Sequence, residues 1–170
     1  MIGPPLDSPA LHAGLVVAAA AFLAVAGTLP ARPAPDAAGV ADTVDVVAAA
    51  GTPASATHDH GADAVRLRPH GIAMRNDGGT AHASIAVGSM TPVFETEGEL
   101  HRTATALVDG EPVPQVVSDS SFESERALRE ALEAVRLRID RERAHWRTAE
   151  GNLRVRAVRL GGETVVLVDA

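Results

Sequence analysis

The stretch "AVRLRPHGIAMRNDGGTAHASIAVG", residues 64–88, decides the fold. Its apolar period is two, the period of a strand that buries one face. Val65 and Leu67 alternate with Arg66 and Arg68, and Pro69-His70-Gly71 reads as a turn. Ile72 and Met74 alternate with Ala73 and Arg75, and Asp77-Gly78-Gly79 reads as a second turn. A two-residue loop there sets Ile72, Met74, Ala83 and Ile85 on one face, with Arg75, His82 and Ser84 on the other. The spacing predicts an antiparallel meander over 64–88.

Downstream, Ser120 with Glu123 forms a capping-box pattern. A long amphipathic helix is predicted over 121–147, about 40 Å in length. Leu128, Leu132, Val135, Ile139 and Trp146 form one apolar stripe, and Glu125-Arg129 and Glu133-Arg136 stand at helix-pair spacing. The stripe fits packing against the sheet; the competing reading is a heptad-like seam for a partner helix, which Glu142 interrupts. Gly151 is read as the helix end. A hairpin over 152–169 follows, turning at Gly161-Gly162, with Leu153, Val155, Ala157, Val166 and Val168 on one face. A weaker hairpin is predicted from Thr105–Val108 and Val113–Val117 across Asp109-Gly110, with Pro112 and Pro114 confining it to a sheet edge.

Upstream, residues 36–50 read as a short amphipathic helix. Asp36 is the cap, Ala37, Val40, Val44 and Val47 form its apolar face, and Gly51 and Pro53 end it. Residues 51–63 read as loop. The fold class is therefore α+β: an antiparallel meander and hairpins packed with one long helix.

Residues 10–29, ALHAGLVVAAAAFLAVAGTL, carry no charge. Twenty helical residues span about 30 Å, the thickness of a bilayer's hydrocarbon core. Ser8 and Pro9 suit the start of such a helix, and Pro30, Pro33 and Pro35 stop it. The favoured reading is a transmembrane helix in contact with lipid. A cleaved signal peptide ending near Ala24-Val25-Ala26 and a buried core helix compete with it; the signal reading lacks a basic leader. The expected organisation is an anchor with a Pro/Ala linker over 1–35 and an α+β domain over 36–170. Arg32 alone would place that domain in the cytoplasm by the positive-inside rule. Its acidity favours the outside.

Composition excludes several chemistries. The chain has 15 basic and 22 acidic residues, a net charge of −7, and no cysteine. All its basic residues are arginine. Lysine-dependent phosphate loops and Schiff bases are excluded, as are thiolate nucleophiles, thiolate metal sites and disulfides. The acidic balance offers no footprint for nucleic acid. Residues 37–120 carry eleven acids but four arginines: Arg66, Arg68, Arg75 and Arg102.

One dense group of potential metal ligands occurs, His58, Asp59, His60 and Asp63 in "THDHGAD". His58 and His60, two apart in an extended segment, would point the same way. Asp59 would point away, and Asp63 could join only if the chain bends at Gly61. A zinc site needs three or four ligands on rigid elements, and this run follows the flexible "GTPASAT"; it reads as a polar loop. No metal and no cofactor are expected. Glu95, Glu97 and Glu99 read as a solvated link between strands rather than paired catalytic acids. No nucleophile-elbow, zincin or dinucleotide glycine motif occurs, so no catalytic residue is assigned.

The stretches "PDAAGVADTVDVVAAA", "DAVRLRP" and "RNDGGTAHASIAVGSMTPV" resemble a family of haloarchaeal proteins with one N-terminal anchor. The likeness spans about residues 9–117. That family is encoded beside type IV pilus-like assembly genes and has no assigned activity. The resemblance implies a pilin-like or pilus-accessory role on the outer face of the cell membrane, with protein partners in a surface assembly. No basic residue precedes Ala13-Gly14, which departs from prepilin processing sites and favours an accessory role. The expected function is a non-enzymatic, membrane-anchored component of such an assembly. The alternative is an anchored cell-surface binding protein for a small ligand or metal.

Overall fold

The structure is a computed structural model that describes residues 14–21, 32–142, 144–149 and 151–170. The chain divides into two compact units, Met1–Arg32 and Pro33–Ala170. In the first, residues 14–21 are helical, with Leu15, Val16 and Val17 exposed. The rest of the predicted anchor lies outside the described residues. Among the described residues, no helix is long and apolar enough to cross a membrane.

The second unit is mixed α+β. Helix α1 (Ala37–Ala49) precedes four strands: β1 (Ala54–Asp59), β2 (Ala64–Arg68), β3 (Gly71–Asn76) and β4 (Gly79–Ser84). Strand β5 (Met90–Pro92) leads through a 3-10 turn, Val93–Glu95, into α2 (Gly98–Asp109), α3 (Val113–Ser118) and α4 (Glu125–Arg141). Strands β6 (Arg147–Thr148), β7 (Asn152–Leu160) and β8 (Glu163–Asp169) complete the chain. They form two sheets, ordered β4-β3-β2-β6 and β1-β7-β8-β5. All pairings are antiparallel except β5 with β8.

The meander runs in the register its alternation dictates. Ile72 pairs with Ala83 and Met74 with Ala81 on the inner face, while Ala73 pairs with His82 and Arg75 with Thr80 on the outer face. Asp77 and Gly78 make the turn, where Asn76 Oδ1 accepts from Gly78 N at 2.8 Å. The β7–β8 hairpin is buried on both faces. Leu153, Val155, Ala157, Val166 and Val168 join the core formed with α1 and the meander. Val158, Leu160, Val165 and Leu167 join a second core with α2, α3 and α4. That is why Val165-Val166-Leu167-Val168 is a continuous apolar run rather than an alternating one. Arg154 ties the layers together, donating to Asp169 on β8 at 2.6 Å and to Asp109 at the end of α2.

Several expectations are corrected. The predicted 51–63 loop contains β1, which pairs with β7 from Ala54↔Ala157 to Asp59↔Asn152. Its inward residues are Ala54 and Ala56, too small to give an apolar signal among Ser55 and Thr57. The predicted hairpin at 105–117 is helical. Thr103, Ala104, Leu107 and Val108 are buried at helix spacing. Gly110 is not a hairpin turn but the left-handed cap of α2, at φ 106, donating its N–H to Ala106 and Leu107. Pro112 and Pro114 sit at and just inside the start of α3, where a missing N–H is harmless. The Glu95–Glu99 stretch therefore links a strand to a helix, not two strands.

The long helix is Glu125–Arg141 rather than 121–147. Ser120 spends its hydroxyl on Val117 O, and Ser124 caps instead, accepting from Ala127 N at 3.2 Å. At Glu142 the backbone turns extended, ψ 159. Leu128, Leu132, Val135 and Ile139 are buried, as a sheet-packing stripe requires. Trp146 leaves that stripe, because the chain runs on to pair β6 with β2, Val65↔Arg147. Gly151 precedes β7 rather than ending a helix.

Candidate functional site, an arginine face

The outer face of the meander sheet groups three arginines, Arg66, Arg68 and Arg75. Strand alternation directs Arg66 and Arg68 away from Val65 and Leu67, which are buried. The register sets Arg66 beside Ala73, and Arg68 beside Gly71. Arg75, His82 and Ser84 share this face. Trp146, just before β6, packs against it. The guanidinium carbons of Arg66 and Arg75 lie 4.9 and 4.6 Å from its ring centroid, within cation–π range.

Three arginines elsewhere in the domain lie beside carboxylates. Arg129 lies beside Glu133 and Glu163, Arg147 beside Glu95, and Arg154 bridges Asp109 and Asp169. Among the described residues, no carboxylate lies within ion-pair distance of Arg66, Arg68 or Arg75. Three guanidiniums without a carboxylate partner on one sheet face are a strong local field in a chain of net charge −7. The small residues Gly71 and Ala73 form the floor of a concave region of about 450 Å³, with Arg66, Arg68, His82 and Ser84 around it. Such a surface can hold acid groups; guanidinium forks match carboxylate, sulfate and phosphate oxygens.

The "THDHGAD" ligands do not converge. The expectation that His58 and His60 point the same way fails because β1 ends at Asp59. His58 turns to the start of α1, with Nε2 3.2 Å from Asp36 Oδ2 and Nδ1 3.1 Å from Thr43 Oγ1. His60 is buried, its Nδ1 accepting from Ala62 N at 2.9 Å. Asp59 accepts from Gly61 N, and Asp63 is exposed. Among the described residues, no three His, Asp or Glu side chains gather as a metal site. Calorimetric titration of Zn²⁺ is expected to show no one-to-one, sub-micromolar event that a His58→Ala/His60→Ala variant loses.

The Asp36–His58–Thr43 row has the residue types of a nucleophile relay, but its bonding is that of a clasp. Asp36 is the α1 N-cap, accepting from Gly39 N at 2.9 Å, and Thr43 Oγ1 donates back to Gly39 O at 2.7 Å. The row pins α1 to β1. Gly39 makes it possible: a Cβ there would fall 2.2 Å from Asp36 Oδ2 and 2.7 Å from His58 Cε1. Gly39→Ala is therefore expected to destabilise by about 1–2 kcal/mol through loss of the cap, against alanine's better helix propensity. Urea unfolding measures it; a stabilised variant would show that the clasp contributes nothing.

The Gly39 N–H, and then His58, hold the Asp36 carboxyl below its ordinary value. A depressed folded value means that the contribution is complete above the unfolded value and is lost as pH falls through the folded one. Amide-exchange protection at Gly39 is expected to be constant at neutral pH and to fall in acid below the ordinary carboxylate range. Protection that falls above that range would contradict this.

The remaining histidines are dispersed. His70 Nδ1 lies 3.1 Å from Gly88 O, His101 Nδ1 lies 3.2 Å from Val93 O, and His145 is exposed; His12 lies outside the described residues. Sequence periodicity already placed Arg75, His82 and Ser84 on the outer face. Arg66 and Arg68 were legible from their alternation with Val65 and Leu67. What it missed was Trp146, assigned to a helix, and the Asp36–His58 bond, which joins residues 22 apart.

Searches of curated proteins and of solved structures return no match. A family model does match, over residues 3–158, which takes in the arginine face and ends within β7, before β8. The chain therefore belongs to that family, described as a family of unknown function, DUF7283.

Proposed function

We propose that the protein is a non-enzymatic, membrane-anchored component or accessory of a pilus-like surface assembly. Residues 10–29 hold it in the lipid, and residues 36–170 stand outside the cell. The observation that carries this reading is the arginine face: unpaired cations presented on one side of an otherwise acidic domain suit a contact surface. The apolar, uncharged run at 10–29 supports the anchor. A non-enzymatic role is supported by the bonding of the polar groups, which serve caps, turns and the clasp.

Deletion of the gene is the test. Surface filaments or adhesion should change while cytoplasmic metabolism does not, and protease added to intact cells should remove the domain. Unchanged filaments and adhesion, or full protection of the domain until lysis, would overturn the reading. A second reading, an anchored receptor for a small ligand, is favoured by the concave floor at Gly71 and Ala73.

A further inference from the structure

We propose that the arginine face is a receptor site for a small organic polyanion carrying two or more acid groups. This rests on reading that face as the protein's contact surface and names what it contacts. The grouping of the arginines follows from the sheet. Arg66 and Arg68 are two apart on one strand, so their roots are separated by about 7 Å. Arg75 is diagonal to Arg66 across the β2–β3 pair, at a similar distance. A ligand with a single acid group engages one fork; a ligand with two or three engages several at once.

Trp146 makes the forks specific. Its ring holds the guanidiniums of Arg66 and Arg75 at 4.9 and 4.6 Å, restricting side chains that would otherwise sample many rotamers. Less freedom is then lost on binding. Arg68 is exposed and makes no such contact, so it is free to close over the ligand. Gly71 leaves the floor open: the nearest atom to a Cβ there would be Ala83 O, at 3.7 Å. Volume and chemistry fit a free di- or tricarboxylate or an acidic saccharide, which present the same paired acid groups.

Trp146 also reports the site, since it is the chain's single tryptophan and the chain has no tyrosine. The experiment is a titration of Trp146 emission in the full-length protein held in non-ionic micelles. Citrate stands for the free acid and digalacturonate for the saccharide, with acetate and chloride as single-charge controls at matched ionic strength. A saturable change with citrate, digalacturonate or both, at concentrations where the controls are silent, is the expected result; which of the two responds identifies the source. Arg68→Gln, which leaves the tryptophan stack in place, should weaken it at least tenfold. Gly71→Leu, which fills the floor, should do the same.

Emission that tracks ionic strength alone, or an Arg68→Gln protein that titrates like the wild type, overturns the proposal. So does a response confined to polyglutamate, which would assign the face to an acidic polypeptide. A silent titration beside lost surface assembly in an arginine-face mutant removes the small ligand but keeps the contact-surface reading. Retained assembly beside a positive titration does the reverse.

Discussion

Leu167→Ala is expected to lower the unfolding free energy by about 2–5 kcal/mol. Leu167 is fully buried on β8, a strand with β7 on one side and β5 on the other. It opposes Arg156 across the hairpin and points into the core made with α2, α3 and α4. Truncation there removes apolar contacts and leaves a cavity that a strand fixed on both edges cannot collapse to fill. A domain of this size is stable by about 5–15 kcal/mol in total, so the loss is a large fraction. Val46→Ala is the control, since Val46 is 67% exposed on α1; it should shift stability by less than about 0.5 kcal/mol. Urea midpoints on both variants make the comparison. Equal midpoints would mean that the helical layer does not cover this face of the sheet.

Replacing Arg66 and Arg75 together by glutamate is expected to detach Trp146. Both guanidiniums lie over its ring, and each such contact contributes about 0.5–1 kcal/mol at exposed sites. A carboxylate in the same place meets the negative face of the ring and is repelled. Trp146 emission should shift to the red. Amide exchange at Arg147 and Thr148 should quicken, because the ring's contacts add to the short ladder that holds the two-residue β6 against β2. The other strands should keep their protection, since neither Arg66 nor Arg75 belongs to either core. Unchanged emission would show that the arginines do not hold the ring.

The parts of this fold legible in sequence were those where one local pattern and one turn agree. The meander satisfied both, with Val65, Leu67, Ile72 and Met74 alternating around Asp77-Gly78. The β7–β8 hairpin did so across Gly161-Gly162. Helix α1 carried its own cap at Asp36. Elsewhere local and tertiary signals conflicted. Thr105, Val108, Val113 and Val117 are β-branched on either side of Asp109-Gly110, so α2 and α3 looked extended until their burial at Ala104, Leu107 and Val116 was visible. Strand β1 exists because the edge of β7 offers a ladder, not because Ala54-Ser55-Ala56-Thr57 insists on one. The arginine face was half legible: alternation shows which residues point outward, but only the return of the chain after α4 brings Trp146 to them.

The most direct test of the arginine face as the working surface is made in cells. Arg66→Glu and Arg68→Glu are introduced together at the native gene, and surface filaments and adhesion are scored beside the amount of protein in the membrane fraction. Both positions lie on the outer face of β2, so the fold and its level should be retained. The predicted result is wild-type abundance in the membrane with loss of filaments or adhesion. Wild-type filaments and adhesion at wild-type abundance would contradict the account.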